Sequence, residues 1–494
     1  MSYLDDAIQS YNQTQSGITA TVCANRGFDG LLDYADVVDL TGANSLEQVK
    51  LELVKSIAEL DRKISNLIDH ILHHPKFQRL EAAWCGLERL THAATSSKKV
   101  KIKVLNASWR DVSKDIERAP EFDQSSLFEL VYNREFGIAG GEPIGVLIGD
   151  YEICHKPIPG HPYDDIDTLK GISQVAAAAF CPFICGVRPE FFGIDEFEDL
   201  GIHIPFQEIF ANKEYIRWQS LRDMDDSRFI GITLPRVLMR TPHLAREFPK
   251  SSLVYNETVA GPDAKKYLWG NAAFALGVIL IREFIDVGWF SHIRGAPRDS
   301  LSGGLVIDFP KKYQSTDSNP HASQITTPIL ITDTLEHDLS ELGLIPLSHC
   351  VHTDFNCFHS VPSIQRPKVY AKKSATANAR ISGLLQQMLC ASRFAQYIKI
   401  IIRDKIGSYK SAKECERFLQ DWLNQYATGR EDLPWESLAR YPLRQARVQV
   451  FEDPRTPGNY QSIIHLKTHY TVDHLVSELR LTTTLNLGTM REAL

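Results

Sequence analysis

Residues 45–72 read SLEQVKLELVKSIAELDRKISNLIDHIL, and this stretch sets the architecture at the amino-terminal end. Ser45 with Gln48 three residues on makes a capping box. Val49, Leu53, Ile57, Leu60, Ile64, Leu67 and Ile71 then recur at spacings of four and three until Pro75 ends the run. At about 1.5 Å per residue the predicted helix is roughly 40 Å long. A second stripe, Phe77, Leu80, Trp84 and Leu87, follows at once. The pair reads as a helical hairpin or a bent helix. A stripe this regular is most often core, but its length also suits packing against a helix of another chain.

Outward from this pair the pattern changes in both directions. Residues 1–44 are polar and rich in turn formers, and they read as a mobile arm with short helical pieces. Leu4, Ile8 and Tyr11 form one apolar stripe there, with Asp5 and Asp6 in the first turn. Downstream, Val100–Leu105 alternates as a strand, and Pro143–Gly149 is a continuous apolar run of the kind buried on both faces. Helical stretches at 168–180 and 266–286 alternate with loops up to about 365, and residues 376–427 return to helix. Ala446–Phe451 and Tyr460–Leu466 flank a turn-forming loop, after which Leu479, Leu481, Leu485 and Leu487 alternate with polar residues. The expectation is an α+β, mixed multidomain chain: an arm (1–44), a long helical hairpin (45–95), a central mixed α/β domain (96–370), and a helical and β-strand region (371–494).

Composition narrows the function classes. Of 494 residues, 43% are hydrophobic and 23% charged, which is globular and excludes a disordered or disulfide-dense class. No apolar run approaches the ~20 residues of a membrane-spanning helix, so no direct membrane insertion is expected. The amino terminus opens acidic and polar, without the pattern of a secretory signal. Nine scattered cysteines fit free thiols, and the expected location is the cytoplasm. The net charge of −7 argues against general nucleic-acid binding. That average hides two poles, however. Residues 1–60 carry nine Asp/Glu against three Lys/Arg, and residues 366–447 carry sixteen Lys/Arg against seven Asp/Glu. Opposed poles can steer a partner or bring copies of one chain together.

Catalytic signatures are missing from the sequence. It holds no phosphate-binding P-loop, dinucleotide fingerprint, nucleophile elbow or His-Glu-x-x-His. Gly140–Gly145 reads as a turn into a strand, since Glu142 repels anions and Pro143 lacks a backbone donor. His70 and His74 share a helix face but lack an evident third ligand. His349, Cys350, His352, Asp354, Cys357 and His359 place six candidate ligands in a short span, in a spacing that matches no zinc finger. Cys181 and Cys185 read as buried rather than as a redox pair. On these residues no catalytic, cofactor or metal site is expected.

Several longer motifs carry a resemblance. Ile57-Ala-Glu-Leu-Asp-Arg-Lys-Ile-Ser, Ile71-Leu-His-His-Pro-Lys-Phe-Gln-Arg-Leu, Gly141-Glu-Pro-Ile-Gly-Val-Leu-Ile-Gly-Asp-Tyr and Pro189-Glu-Phe-Phe-Gly-Ile-Asp come in order. Asp226-Ser-Arg-Phe-Ile-Gly-Ile-Thr-Leu-Pro-Arg, Tyr267-Leu-Trp-Gly-Asn, Arg393-Phe-Ala-Gln-Tyr-Ile-Lys and Pro457-Gly-Asn-Tyr complete the set. Together they resemble the large subunit of the type VI secretion system contractile sheath, the TssC/VipB family. Cys85 and Gln396 depart from the residues usual there, and the family does not generally carry the 349–359 cluster. The resemblance implies a structural protein, not an enzyme. It implies pairing with a small sheath subunit (TssB/VipA type), polymerisation with copies of itself around an Hcp inner tube, contact with baseplate components, and disassembly by a ClpV-type AAA+ unfoldase. The sheath protein of another phage-tail-like contractile injection particle is the alternative. Under this reading Leu60, Ile64, Leu67, Phe77, Leu80 and Trp84 meet the small subunit, and Leu4, Asp5, Ile8 and Tyr11 meet the unfoldase. Leu479, Leu481, Leu485 and Leu487 link neighbouring protomers.

Overall fold

A computed structural model of the chain describes residues 46–138, 140–202, 204–245, 253–259, 264–297, 301–313, 324–350, 353, 355–404, 412–430, 433, 435–452, 460–472 and 475–485. The arm at 1–44, the loop at 453–459 and Leu487 lie outside these residues. The chain divides into two compact units. One comprises 1–86, 238–270 and 310–322, and the other comprises the remainder.

The first unit is built on α1 (Leu46–Leu72) and the start of α2 (Pro75–Ala94). The break between the helices falls where Pro75 removes a backbone donor, and proline then serves as the first residue of α2. Arg240 fixes α2 to the 238–259 segment. It donates to Glu81 (Nε–Oε1 2.5 Å) and to Glu257 (Nη1–Oε2 2.6 Å), and Glu257 also bonds His73 and the His243 amide. Burial alone would push the Glu257 carboxyl up. Its hydrogen bonds with His73, Arg240 and the His243 amide outweigh that and bring it down to about 2. Nearby, Asp69 at the end of α1 accepts from the Tyr255 hydroxyl at 2.6 Å.

The second unit centres on a parallel sheet of β1 (Leu147–Ile153), β2 (Phe183–Val187), β3 (Ile230–Leu234) and a short β4 (Ile345–Pro346), in that order. Registers run Leu147↔Phe183, Phe183↔Ile230 and Thr233↔Ile345. Every residue of β2 and β3 is buried, as befits parallel strands covered on both faces. Helices α3 (Trp109–Arg118) and α4 (Asp165–Ala179) meet at the buried Asp165, which accepts from the Trp109 indole and the Cys154 amide and bonds His161. Helix α5 (Ala272–Asp286) is capped by Asn271. The Asn271 side chain accepts from the Ala273 amide and donates to the Tyr151 carbonyl, binding the helix start to the sheet. Gly186 admits this close approach: a Cβ there would lie 2.8 Å from the Asn271 carboxamide oxygen.

Farther along are a three-stranded antiparallel sheet, a short helix at Trp435–Arg440 and three longer helices. The strands are β5 (Tyr460–Val472, central), flanked by β6 (Leu443–Glu452) and β7 (Leu475–Leu485). The longer helices are α6 (Lys373–Ser382), α7 (Leu385–Asp404) and α8 (Ala412–Asn424). Helix α7 ties the sheets together. The buried Gln396 amide donates to the carbonyls of Ile144 (2.7 Å) and Phe180 (2.8 Å), while Arg393 donates to its oxygen at 3.0 Å. Phe394 stacks on Trp289 with centroids 4.0 Å apart, and Tyr426 meets the same indole edge-on at 5.0 Å. The Lys399 ammonium sits over the rings of Tyr132, Phe136 and Phe180, and burial brings it down to about 8.

Two expectations about strands are corrected. Val100–Leu105 alternates but joins no ladder, and Val104 is 68% exposed. Its lysines make ion pairs instead, Lys101 with Glu142 and Lys103 with Glu135, so the alternation marks a tethered segment without a strand partner. The strand expected from Pro143 begins only at Leu147, and it continues to Ile153. Pro143 lacks the amide a ladder needs.

The Gln396 bonds predict a specific loss of stability. Replacing Gln396 by Leu leaves buried carbonyls without a donor, and a buried unpaired group costs about 1–3 kcal/mol. Urea denaturation of the full chain should show a lowered midpoint for Gln396→Leu. An unchanged midpoint would show that the amide contributes nothing to holding α7.

Candidate assembly surfaces

Among the described residues, the apolar stripe on α1 is only partly covered. Among the described residues of α1 none is buried, although Leu51, Val54, Ile57 and Ile64 are all large and apolar. Of the six residues assigned to a partner helix, Ile64 and Leu80 are each 44% exposed and Trp84 is 65% exposed. Leu60, Leu67 and Phe77 are half-buried. Such a row of exposed aliphatic and aromatic side chains runs against the usual burial of these residue types.

The second surface is the antiparallel sheet. Its two outer strands differ in what lies beyond them. On β6, the Gln420 side chain of α8 donates to the Ala446 carbonyl at 2.9 Å and accepts from the Val448 amide at 3.0 Å. Glu416 accepts from the Val450 amide at 3.1 Å. These side chains stand where a further strand would pair, so the outer edge of β6 is closed. Sequence reading missed this device, although Glu416 and Gln420 sit four apart on the face of an amphipathic helix. At the other margin is β7, with α6 beside it. Its register places Leu479, Leu481 and Leu485 opposite Leu466, Ile464 and Tyr460 of β5. Leu487 and the segment containing Leu4, Asp5, Ile8 and Tyr11 lie outside the described residues.

The titratable clusters have local partners. Cys181 and Cys185 are buried, and burial pushes both thiols up, away from reactive thiolate. His73 bonds Glu257, and His74 Nδ1 accepts from the Lys76 amide. A cavity bounded by Ala93, Ala275, Ile279, Val306 and Phe309 also contains Arg282, whose guanidinium donates to the carbonyls of Gly303 and Leu305. Among the described residues no helix is long and apolar enough to cross a membrane.

Comparison with known proteins identifies the family. Residues 54–365 match the VipB family, described as EvpB/VC_A0108, tail sheath N-terminal domain. Residues 374–485 match its tail sheath gpW/gp25-like domain. The chain is 37% identical over 452 residues to the type VI secretion system sheath protein TssC1 of Pseudomonas aeruginosa, covering 90% of this chain and 89% of that protein. Two solved structures of the anti-feeding prophage, its baseplate and its helical sheath in the contracted state, align at TM-scores of 0.31 and 0.30 with 7% and 8% identity. Each alignment covers 65% of this chain and 63% of the other. The chain belongs to the VipB family of type VI secretion sheath proteins, which is structural and not enzymatic.

Proposed function

We propose that the chain is the large subunit of a contractile sheath. In this reading it pairs with a small sheath subunit and polymerises with copies of itself around an Hcp inner tube. Contraction of the sheath drives the inner tube outward from a baseplate. A ClpV-type unfoldase then recycles the spent sheath in the cytoplasm, with the segment containing Leu4, Asp5, Ile8 and Tyr11 as its recognition site. The observation that carries the reading is the only partly covered stripe on α1 and α2, in a chain whose relatives are sheath proteins. A helix of the small subunit laid against Leu60, Ile64, Leu67, Phe77, Leu80 and Trp84 would remove that stripe from water.

The sheet of β5, β6 and β7 supports a linkage between protomers. Gln420 and Glu416 occupy the edge of β6, which leaves the β7 margin as the place where strands are exchanged or added. A tube that contracts must let its subunits swing without separating. Backbone pairing suits this, because it supplies several bonds that depend little on side-chain identity. Leu479, Leu481, Leu485 and Leu487 are the residues we assign to that linkage, with α6 as the neighbouring element that accommodates it.

Two substitutions test the separate surfaces. Ile64 is exposed in the isolated chain, so Ile64→Asp is tolerated until docking, when a buried charge costs several kcal/mol. Pull-down of the small subunit should fail with this variant, and undiminished capture would refute docking through α1. Leu481→Pro removes a ladder donor from β7. Electron microscopy should find no tubes while the soluble pair of subunits persists. Normal tubes from Leu481→Pro would place the linkage elsewhere.

A further inference from the structure

A short hairpin in the second unit gathers potential metal-ligating side chains. Its strands, Ser348–His349 and Asn356–Cys357, pair antiparallel with Ser348 opposite Cys357 and His349 opposite Asn356. The Cys350 amide donates to the Phe355 carbonyl at 2.9 Å, extending the pairing one step toward the turn. Side chains alternate across a strand. This register therefore puts Ser348 and Cys350 on the same face as Cys357 and, two residues further, His359. His349 falls on the opposite face, where its Nδ1 bonds Asn356 at 3.2 Å. Of the six candidate ligands in the sequence, His352 and Asp354 lie outside the described residues. Cys350, Cys357 and His359 converge, with one donor atom from each lying within 4.8 Å of the others.

We propose that Cys350, Cys357 and His359 form a site for a single thiophilic divalent cation of the Zn²⁺ class. Two sulfurs and one imidazole are the donor types Zn²⁺ prefers. With bonds of about 2.0–2.3 Å, tetrahedral coordination needs only a modest inward movement of three groups already this close. Neighbouring charge also favours a cation. Glu336 accepts from the hydroxyl of Ser360, next in sequence to His359, which puts a carboxylate beside the site. Arg282 is the nearby opposing charge, and its guanidinium is engaged by the Gly303 and Leu305 carbonyls.

An independent observation marks the same face. Ser348 is 1% exposed, and its hydroxyl has no hydrogen-bond partner, although buried hydroxyls are almost always paired. It stands directly across the ladder from Cys357. Three protein donors leave a fourth coordination position for water, and a metal-bound water on this face gives the Ser348 hydroxyl its missing partner. The site would staple the hairpin between its two strands. Binding releases the thiol protons to solvent, since the thiolate is the ligand.

The test uses the full chain without a histidine tag, reduced and stripped of metal, then given Zn²⁺ and dialysed. Elemental analysis should find about one Zn²⁺ per chain. Cys350→Ser and the exposed-ligand variant His359→Ala should each lower retention by an order of magnitude or more. Co²⁺ in place of Zn²⁺ should show sulfur-to-metal charge-transfer absorption, which requires thiolate ligation. Retention of no Zn²⁺ by the reduced chain, or equal retention by the chain and both variants, overturns the proposal. Recovery of Cys350 and Cys357 as a disulfide from cells lysed under thiol-trapping conditions overturns it as well, because the pair would then be redox-active rather than a ligand set.

Discussion

The second unit depends on how helix α7 is held. Within Arg393–Gln396, three side chains perform different tasks. Arg393 orients the Gln396 carboxamide by donating to its oxygen, and this turns the amide hydrogens toward the carbonyls of Ile144 and Phe180. Phe394 fills the space against Trp289. The Phe180 carbonyl belongs to a residue with φ of 49°, a left-handed conformation that a side-chain-bearing residue adopts at a cost. The bond from Gln396 helps to hold that turn, at the end of α4 and just ahead of β2. The stretch thus has a mechanical role: it joins the parallel sheet to the region containing the antiparallel one.

The chain buries its central sheet thoroughly and leaves much of the apolar stripe of α1 exposed. Both follow from the sequence pattern. Continuous apolar strands such as Phe183–Val187 can be satisfied only by cover on both faces, and helices of the same chain provide it. A long amphipathic helix has one apolar stripe, and nothing in the described structure buries any residue of it. Hydrophobic surface of this kind gains free energy on leaving water, roughly 25 cal/mol for each Å² removed. A subunit made for assembly keeps part of that gain in reserve for its partner. At the sheet, the side chains of Gln420 and Glu416 withhold the outer edge of β6 from further strand pairing.

Periodicity made the helices readable in advance. The run from Val49 to Ile71 announced α1, and Pro75 announced the break. The alternation after Tyr460 announced the antiparallel strands. Val100–Leu105 failed because alternation records only which side chains are polar, and Lys101 and Lys103 found carboxylates instead of a neighbouring strand. The Arg240–Glu257 and Gln420–Val448 bonds were unreadable for another reason. They join residues through tertiary proximity, and no local spacing encodes them. The 349–359 cluster was visible as composition, but only the hairpin register separates His349 from Cys350, Cys357 and His359.

The central claim is that this chain is half of a pair whose product is a tube. The most direct measurement is co-expression with its small sheath subunit, followed by negative-stain electron microscopy of the lysate and of the purified complex. The account predicts long hollow tubes that require both subunits. Two soluble, folded proteins that co-purify with no tubes under any tested condition, or that fail to associate at all, would contradict it.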